Sequence, residues 1–284
     1  MIVYRSIHDL RAALDAERAH AKTIGLVPTM GALHAGHMSL LAQSVEHNDL
    51  TVCSLFVNPI QFNNPEDLKK YPRNEVADFA MLESNGCDIV FAPDQGEMYG
   101  EEIGLKMNFG VLESVLEGEF RPGHFSGVGV VVSKLFNIVQ PHRAYFGQKD
   151  LQQLAIIRKL TRDLNFPIQI VGIPIMREVN GLAMSSRNMR LSDAQRDIAA
   201  QLYVAMSSIK EDLDRNVPLE KSIALAKDSL RHMDGIQLEY MEIVDSDTMQ
   251  PVSKIENDKN ISICAAAFVG EVRIIDNLYI AQNR

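Results

Sequence analysis

The sequence contains no tryptophan, and aromatic residues make up only 6% of its 284 residues. Its core must therefore be built mainly from leucine, isoleucine, valine and methionine. Basic residues are also outnumbered, with 28 lysines and arginines against 37 aspartates and glutamates and a net charge of −9. Because broad nucleic-acid binding needs a basic surface, we expect no nucleic-acid partner. Any phosphate site must instead be a small local group of cations and backbone N–H groups.

Cysteines and long apolar runs are scarce as well. The three cysteines, Cys53, Cys87 and Cys264, are scattered and odd in number. This pattern argues against a disulfide framework or a zinc site, and it favours small buried side chains in a reducing compartment. The N-terminal segment reaches Arg5 before any apolar core of signal-peptide length, and no run approaches the roughly 18 apolar residues of a membrane span. We therefore expect a cytoplasmic protein that has no membrane partner.

The first 176 residues alternate between strand-like and helix-like segments. Strands are predicted at 23–29, 50–58, 87–93, 143–148 and 168–176. Helices are predicted at 36–48, 74–86, 127–139 and 150–164, the third from its apolar face despite a β-type composition, and the fourth with Asp150 as its N-cap. This alternation predicts a parallel sheet joined by right-handed crossovers, which is the α/β, Rossmann-like architecture of nucleotide-binding domains.

From about residue 177 the pattern changes. Two helical segments at 193–214 and 218–233 precede strand-like runs at 236–244, 260–270 and 272–280. We therefore divide the chain into a Rossmann-like domain at 1–176 and a smaller α+β domain at 177–284. The second domain is expected to act as a lid over the first.

The segment GLVPTMGALHAGHMSLL (25–41) places two histidines where the first strand gives way to a helix. In parallel α/β sheets, ligands bind beyond the carboxyl ends of the strands, where helix N-termini attract anions. Gly31 and Gly36 allow the backbone to approach a phosphate closely, and His34 and His37 can both donate to one polyphosphate. A lone histidine would more often be a cap or a surface residue, but the whole pattern favours function.

Three further segments carry chemistry that suits the same edge. YFGQKD ends a strand with Lys149 and Asp150, which can bind phosphate and accept from ribose hydroxyls. SSRN (185–188) offers two hydroxyls and a guanidinium as an oxyanion clamp, and RPGHF (121–125) could form a mobile wall through its arginine and histidine. Each has a structural alternative, namely a surface ion pair, a polar loop with a helix cap, and a plain turn.

The motif HAGH (34–37) resembles the His-x-Gly-His signature of the nucleotidylyltransferase superfamily, whose members attack the α-phosphate of ATP. The longer string PTMGALHAGHMSL resembles one of its families in particular, the pantothenate synthetases or pantoate–β-alanine ligases. Other blocks agree with that family in order over essentially the whole chain: FVNPIQF (56–62), YPR (71–73), RPGHFSGV (121–128), YFGQKDLQQ (145–153) and GLAMSSRN (181–188).

The resemblance implies an AMP-forming, homodimeric ligase that joins (R)-pantoate to β-alanine through a pantoyl-adenylate intermediate, with Mg²⁺ accompanying ATP. It implies catalytic roles for His34, His37, Lys149 and Arg187. It implies ATP binding by Met30, Gly31, Ala32, Leu33, His34, Ala35, Gly36, His37, Gly147, Gln148, Lys149, Asp150, Met176, Met184, Ser185, Ser186 and Arg187. Pantoate would be held by Gln61 and Gln153, and β-alanine by Gln61. No cluster of carboxylates identifies a protein ligand for the metal.

Two alternatives remain open. Another adenylyl or cytidylyl transferase of the superfamily would use the same nucleotide site on a different acceptor, and a phosphate-ester acceptor would need extra cations. A non-catalytic nucleotide-binding protein would not need all four of the residues named as catalytic. One position departs from the family pattern, because Arg190 stands where an aromatic residue is expected in many relatives. That difference bears on packing beside the SSRN clamp rather than on the clamp itself.

Overall fold

The computed structural model describes residues 1–100, 103–254 and 259–281. Over these ranges the strands are β1 (Ile2–Tyr4), β2 (Ile24–Thr29), β3 (Leu50–Leu55), β4 (Ile89–Phe91), β5 (Arg143–Gly147), β6 (Gln169–Ile173), β7 (Ile236–Asp245), β8 (Ile261–Val269) and β9 (Val272–Ile280). The α-helices are α1 (Ile7–Ala19), α2 (Ala35–His47), α3 (Pro65–Lys70), α4 (Glu75–Ser84), α5 (Gln95–Tyr99), α6 (Glu117–Phe120), α7 (His124–Val139), α8 (Leu151–Asp163), α9 (Asp193–Asp214) and α10 (Leu219–Arg231). Short 3₁₀ turns cover Pro59–Gln61, Gly110–Glu113, Gln148–Asp150 and Ser186–Arg190.

Six strands form one parallel sheet in the order β1-β4-β3-β2-β5-β6. The chain leaves β2 towards β3 and β4 on one side, and then crosses back to β5 and β6 on the other. The order of the strands therefore reverses between β2 and β5, and ligands bind at such a switch point beyond the carboxyl ends of the strands. Those ends are Thr29 and Gly147. The predicted α/β, Rossmann-like fold class is confirmed.

Helices cover both faces of the parallel sheet. Leu26 of β2 belongs to an apolar cluster with α1, α7 and α8, whereas its neighbour Val27 packs in a second cluster with α2 and α4. This alternation follows from the opposite directions of successive side chains on a strand. Because both faces are covered, the central strands β2 and β3 are buried along nearly their whole length.

The remaining strands form an antiparallel sheet in the order β7-β8-β9. We call these strands with α9 and α10 the antiparallel unit, and the six-stranded sheet with its helices the parallel unit. On β8, Ala265 and Ala267 pack towards α9 and α10, while Cys264 and Ala266 pack with Leu116 near the parallel unit. The second sheet is therefore buried on both faces, and one of those faces joins the two units.

Most predicted elements are present, and their ends differ in instructive ways. The helix expected at 127–139 is confirmed, but it begins at His124, so the end of RPGHF lies in a helix. The strand expected at 50–58 ends at Leu55, because Pro59 starts a 3₁₀ turn shortly afterwards. Asp150 occupies the N-cap position of α8 as predicted, but its side chain makes no capping hydrogen bond. The 3₁₀ turn before it leads the chain into the helix instead.

Three other expectations concern the whole chain. All three cysteines are buried and free, as predicted. Within the described ranges, no helix has the length and apolar character needed to cross a membrane. The parallel sheet ends at Ile173 and α9 begins at Asp193, which leaves the expected boundary near residue 177 in the connecting segment. The division into domains 1–176 and 177–284 stays a prediction.

Candidate active site

A cavity of about 220 Å³ opens at the crevice between β2 and β5. Most of the residues expected at the site lie in its wall: Met30, His34, Gly36, His37, Gln61, Gly147, Lys149, Asp150, Gln153, Met176, Met184, Ser185, Ser186 and Arg187. The other expected residues are not part of this wall: Gly31, Ala32, Leu33, Ala35 and Gln148. The fold therefore brings together side chains from five separate segments of the sequence at one sheet edge.

The two histidines cap the N-terminus of α2 reciprocally. His34 Nδ1 accepts from the backbone N–H of Gly36 (3.1 Å), and His37 Nδ1 accepts from the backbone N–H of His34 (3.3 Å). A neutral imidazole that accepts at Nδ1 carries its proton on Nε2. Gly36 is required between them, since a Cβ there would lie 2.9 Å from the ring of His34. The spacing of HAGH thus fixes both the orientation and the tautomer of the rings.

Both rings are neutral at neutral pH. Burial, which is the larger cause, and the positive charge of Lys149 together lower the pKa of His34 to about 4. Burial lowers the pKa of His37 to about 3, with His34 and Lys149 adding to the effect. Each ring therefore offers one uncharged Nε2–H donor at the cavity wall. An anion bound there would favour protonation of both rings, because it would offset the nearby positive charge.

The loop before the histidines is held from α4. Gly31 and Ala32 have positive φ angles of 79° and 50°, and the buried carboxylate of Asp78 accepts from the N–H groups of Ala32 (2.9 Å) and Leu33 (2.7 Å). The sequence analysis missed Asp78. A signal was available, because Asp78 lies four residues before the buried Leu82 and so occupies the apolar face of its helix.

A chain of hydrogen bonds orients the amide of Gln61, which is buried. Tyr99 donates to Asn58 Oδ1 (2.5 Å), and Asn58 Nδ2 donates to the Gly127 carbonyl (3.1 Å) and to Gln61 Oε1 (3.0 Å). The oxygen of Gln61 is thereby engaged, and its amide nitrogen approaches Met30 Sδ at 3.1 Å. Gln61 consequently presents its amide nitrogen, which has one further N–H, rather than its oxygen to a ligand. Neither Asn58 nor Tyr99 was identified from sequence.

An apolar part of the wall adjoins these amides. It is formed by α7 and by residues at the ends of two strands: Phe56, Val128, Val131, Val132, Leu135 and Phe146. Gln153, in the first turn of α8, lies in the wall of the same cavity. This part of the cavity therefore combines two amides with a branched apolar surface, and it suits a small molecule that has both polar groups and methyl groups.

The part of the cavity near α3 is cationic. Arg187 Nη2 lies 2.7 Å from the carboxylate of Asp67 on α3, and Arg190 lies 3.4 Å from the other oxygen. Burial opposes the charge of Arg187, but Asp67 outweighs it and raises the pKa of the guanidinium. Arg190, which departs from the family pattern, thus has a carboxylate partner. Asp67 carries no signal in the sequence that would have identified it.

The SSRN segment supports this end of the cavity in two ways. Ser186 donates its hydroxyl to the Ala32 carbonyl (2.9 Å), which ties the segment to the loop before the histidines. Ser185 Oγ accepts from the N–H of Arg187 (3.3 Å) and keeps its own hydroxyl hydrogen for a ligand. The Ser186 hydroxyl therefore holds the segment in place, and only the Ser185 hydroxyl is left to donate to a ligand.

Arg121 and His124 also lie in the cavity wall. His124 Nδ1 donates to the Gln61 carbonyl (2.9 Å), and its Nε2 accepts from Arg121 (3.3 Å). Burial lowers the pKa of His124 to about 4, and the charge of Arg121 contributes to that shift. Arg121 is also 3.5 Å from the buried carboxylate of Glu117. The neutral His124 of the RPGHF segment thus holds the turn that carries Gln61 in place.

Comparison with known proteins agrees with this geometry. The family model of pantoate–β-alanine ligases matches residues 2–279. Relatives named pantothenate synthetase include those of Cytophaga hutchinsonii, 48% identical over 99% of both chains, and Bacteroides fragilis, 47% identical over 98% of both chains. Among solved structures, the pantothenate synthetase of Thermus thermophilus covers 99% of this chain and 100% of its own, with a TM-score of 0.92 and 40% identity.

A second solved structure is informative about ligands. The pantoate–β-alanine ligase of Francisella tularensis, complexed with β,γ-ATP and β-alanine, covers 98% of this chain and 97% of its own at 33% identity, with a TM-score of 0.80. The resemblance seen in the sequence motifs is therefore confirmed along the whole chain. By its sequence, its fold and its full-length relatives, the chain belongs to the pantoate–β-alanine ligase family.

Proposed function

We propose that this chain condenses (R)-pantoate with β-alanine, using ATP, to give pantothenate, AMP and pyrophosphate. The observation that carries the proposal is the cavity between β2 and β5, which is lined by two neutral histidines, a lysine, an arginine, a pair of amides and an apolar surface. The names of the full-length relatives and the ligands of the Francisella tularensis structure support it.

ATP would lie along the cationic end, between the loop after β2, the turn 147–150 and the SSRN segment. His34, His37, Lys149 and Arg187 would donate to its phosphates, and Ser185 would add a hydroxyl. Two of these donors are neutral before ATP binds. Donors that are fixed in advance stabilise charge as it develops, so catalysis would consist of positioning and electrostatic stabilisation without a protein nucleophile.

Pantoate would lie against α7. Its two methyl groups suit the valine surface, and the N–H groups of Gln61 suit its carboxylate or hydroxyl oxygens, with Gln153 as the second amide. β-Alanine would use the space beside Gln61 after pyrophosphate has left. The orientation of Gln61 through Asn58 supports this assignment, because an acid needs donors from the protein.

The chemistry would take two steps. In the first, a carboxylate oxygen of pantoate attacks the α-phosphorus, and the bond to the β-phosphate oxygen breaks to release pyrophosphate. In the second, the amine of β-alanine attacks the acyl carbon, the carbon–oxygen bond to AMP breaks, and the nitrogen loses a proton. The donors around the α-phosphate act in the first step and stabilise AMP as the leaving group in the second.

Mg²⁺ would enter with ATP. In the described ranges, no group of three or more histidine, cysteine, aspartate or glutamate side chains is arranged to hold a metal ion. This suits an ion that keeps several waters and is bound chiefly through the phosphates. When bound, Mg²⁺ would neutralise the charge of the departing pyrophosphate.

The assembly and location of the chain are proposed on other grounds. A homodimer rests on the family resemblance, and size-exclusion chromatography with light scattering would test it directly. A cytoplasmic location rests on the composition, the buried cysteines and the biosynthetic family.

Another transferase of the superfamily is the competing hypothesis. A phosphate-ester acceptor would need spare cations beside the amides, but Arg121 at that end is already engaged by Glu117 and His124. The neutral amides and the valine wall therefore favour an acid such as pantoate.

The deciding experiment follows AMP release and pyrophosphate exchange by purified protein with Mg-ATP, omitting each substrate in turn. The proposal expects AMP release to need both pantoate and β-alanine, and exchange of pyrophosphate into ATP to need pantoate alone. AMP release that is independent of both acids, while ATP still binds, would contradict the named reaction and leave only a nucleotide site.

A further inference from the structure

The antiparallel unit reaches the phosphate end of the cavity through Asn277 on β9. This side chain is 3% exposed. Its amide nitrogen donates to the carbonyl oxygens of Gln148 (2.9 Å) and Lys149 (2.8 Å). Both carbonyls belong to the 3₁₀ turn that carries Lys149 from β5 into α8. The backbone of this turn is therefore fastened to a residue 128 positions farther along the chain.

Asn277 is itself held in place. Its backbone N–H donates to Asp276 Oδ1 (2.7 Å), and the Asp276 carboxylate binds both terminal nitrogens of Arg177 at 2.6 and 3.0 Å. Arg177 also donates to the Asn277 carbonyl (3.1 Å) and stacks over the Tyr203 ring at 3.8 Å. A bidentate pair of this kind restricts both partners in distance and in orientation. The amide of Asn277 is thus a fixed support rather than a mobile surface group.

The chemistry of this contact selects asparagine. Two carbonyl oxygens need two N–H donors, and the terminal amide supplies both from one atom. An aspartate would direct an oxygen towards the two carbonyls, and a serine would offer a single donor. Removing the amide would leave two carbonyls without these partners in a buried place, so the turn would shift to find others.

We infer that Asn277 is a positioning residue for the reaction: it sets the place of Lys149 opposite His34 and His37. The inference rests on the proposed role of Lys149 at the α-phosphate. The charge of Lys149 contributes to the lowered pKa values of both histidines, so the three groups already act on one another electrostatically. The antiparallel unit thereby contributes to the site without a side chain of β9 touching the reacting atoms.

The position of Lys149 matters most when the α-phosphate changes charge in adenylate formation. A displacement of about 1 Å at a reacting group lowers rates by as much as 100-fold. We therefore expect Asn277→Ala to lower the rate of pantoate-dependent pyrophosphate exchange about 10- to 100-fold. Attack of β-alanine on preformed pantoyl adenylate should fall much less, because bonds to the α-phosphorus change only in the first step, and in the second the donors need only stabilise AMP as it leaves.

Ser262→Ala provides a matched control. Ser262 is buried on β8 of the same sheet and exchanges a hydrogen bond of 2.8 Å with Ser246, away from the cavity. Both variants remove a buried hydrogen bond from the antiparallel unit. Only Asn277→Ala also removes the hydrogen bonds to the 3₁₀ turn that carries Lys149. Asn277→Ser, which keeps one donor, should have an intermediate effect and serves if the alanine variant does not fold.

The test measures both half-reactions and the folded fraction for each variant, and adds Lys149→Ala and the double variant. If Asn277 acts through Lys149, the double variant should be hardly slower in exchange than Lys149→Ala alone. Equal losses in both half-reactions, or multiplicative effects in the double variant, would overturn the inference. Normal exchange by Lys149→Ala would instead show that the proposed role of the lysine is wrong.

Discussion

The two histidines and the two cations reach the same cavity by different means. His34 and His37 are fixed by hydrogen bonds that span two and three residues. Lys149 lies on a turn held by Asn277, 128 residues away, and Arg187 is paired with Asp67, 120 residues away. One half of the site is therefore built locally, and the other half depends on contacts between distant segments.

Because of this difference, substitutions in the two halves of the site should have different effects on folding and on activity. The rings of the local half depend directly on the N-terminus of α2 and on a glycine that leaves room for His34, while the loop before them is held by Asp78. The remote half needs the two sheets in their correct relative positions. We therefore expect local substitutions to remove chemistry with little loss of fold, and remote ones to change rates in proportion to how far a cation moves.

Removing His37 should have the largest effect. His37→Ala deletes one Nε2–H donor and the cap on the His34 N–H, while α2 keeps its other contacts. Losing one donor fixed at a developing charge typically lowers the rate about 10²–10³-fold, and we expect adenylate formation to fall in that range. Pyrophosphate exchange measured at saturating ATP tests it.

His47→Ala is the matched control, since His47 is an exposed histidine in the last turn of the same helix. It should leave exchange unchanged. Turnover of His37→Ala close to that of the control would show that the histidine pair is only a structural cap.

The next effect concerns the loop before the histidines. Asp78→Ala leaves the N–H groups of Ala32 and Leu33 without their carboxylate, and each such loss costs about 1–3 kcal/mol. We expect a lower free energy of unfolding and a KM for ATP raised about 10-fold or more. Urea unfolding and steady-state kinetics measure the two quantities.

Asp88→Ala is its control, because Asp88 accepts from the Thr51 N–H (2.8 Å) away from the cavity. A smaller loss of stability is expected there, because Asp88 is exposed and accepts this one backbone hydrogen bond, and the KM for ATP should not change. If Asp78→Ala behaved in the same way, the loop would not depend on Asp78 for its function.

The same contrast explains how much the sequence could reveal. The alternating sheet, the helix predicted at 127–139 and the histidine pair were predictable, because each depends on residues close together in sequence. The position of Asp78 on the apolar face of α4 was also visible in principle. Asp67, Tyr99 and Asn277 were not, because their partners are fixed only when distant segments pack. Asp150 stands at the N-cap of α8 as predicted, but its side chain makes no capping bond where the 3₁₀ turn Gln148–Asp150 leads into the helix.

Three histidines in the cavity wall make stability depend on pH. The pKa values of His34 and His124 are lowered to about 4 and that of His37 to about 3, against about 6.5 in an unfolded chain. Above pH 6.5 the rings are neutral in both states. Below it the unfolded chain takes up protons that the folded chain does not, so the free energy of unfolding falls as the pH falls from 6.5 towards 4.

The variant His124→Gln isolates one of these rings, since an amide can still donate to the Gln61 carbonyl and accept from Arg121. Its unfolding free energy should depend less on pH than that of the unmodified protein, by up to about 1.4 kcal/mol per pH unit. Urea unfolding at pH 7, 6 and 5 gives both slopes. If the unfolding free energies of the two proteins changed equally with pH, the folded protein would take up a proton at His124 as readily as the unfolded chain does.

The smallest effect should come from the hydroxyl of Tyr99, which acts on Gln61 through Asn58. Tyr99→Phe removes one hydrogen bond, and a typical contribution of about 0.5–1.5 kcal/mol corresponds to a roughly 2- to 12-fold change. Because Asn58 remains fixed only by the Gly127 carbonyl, the amide of Gln61 becomes less well oriented. We expect a higher KM for pantoate with an unchanged KM for ATP.

Tyr145→Phe is the control. It removes a phenol oxygen that accepts a hydrogen bond from Asn48 in the parallel unit, and it should change neither KM. A rise in both KM values for Tyr99→Phe would mean that the hydroxyl supports the whole cavity. Gln61 would then depend on the same contacts between distant segments as Lys149 and Arg187.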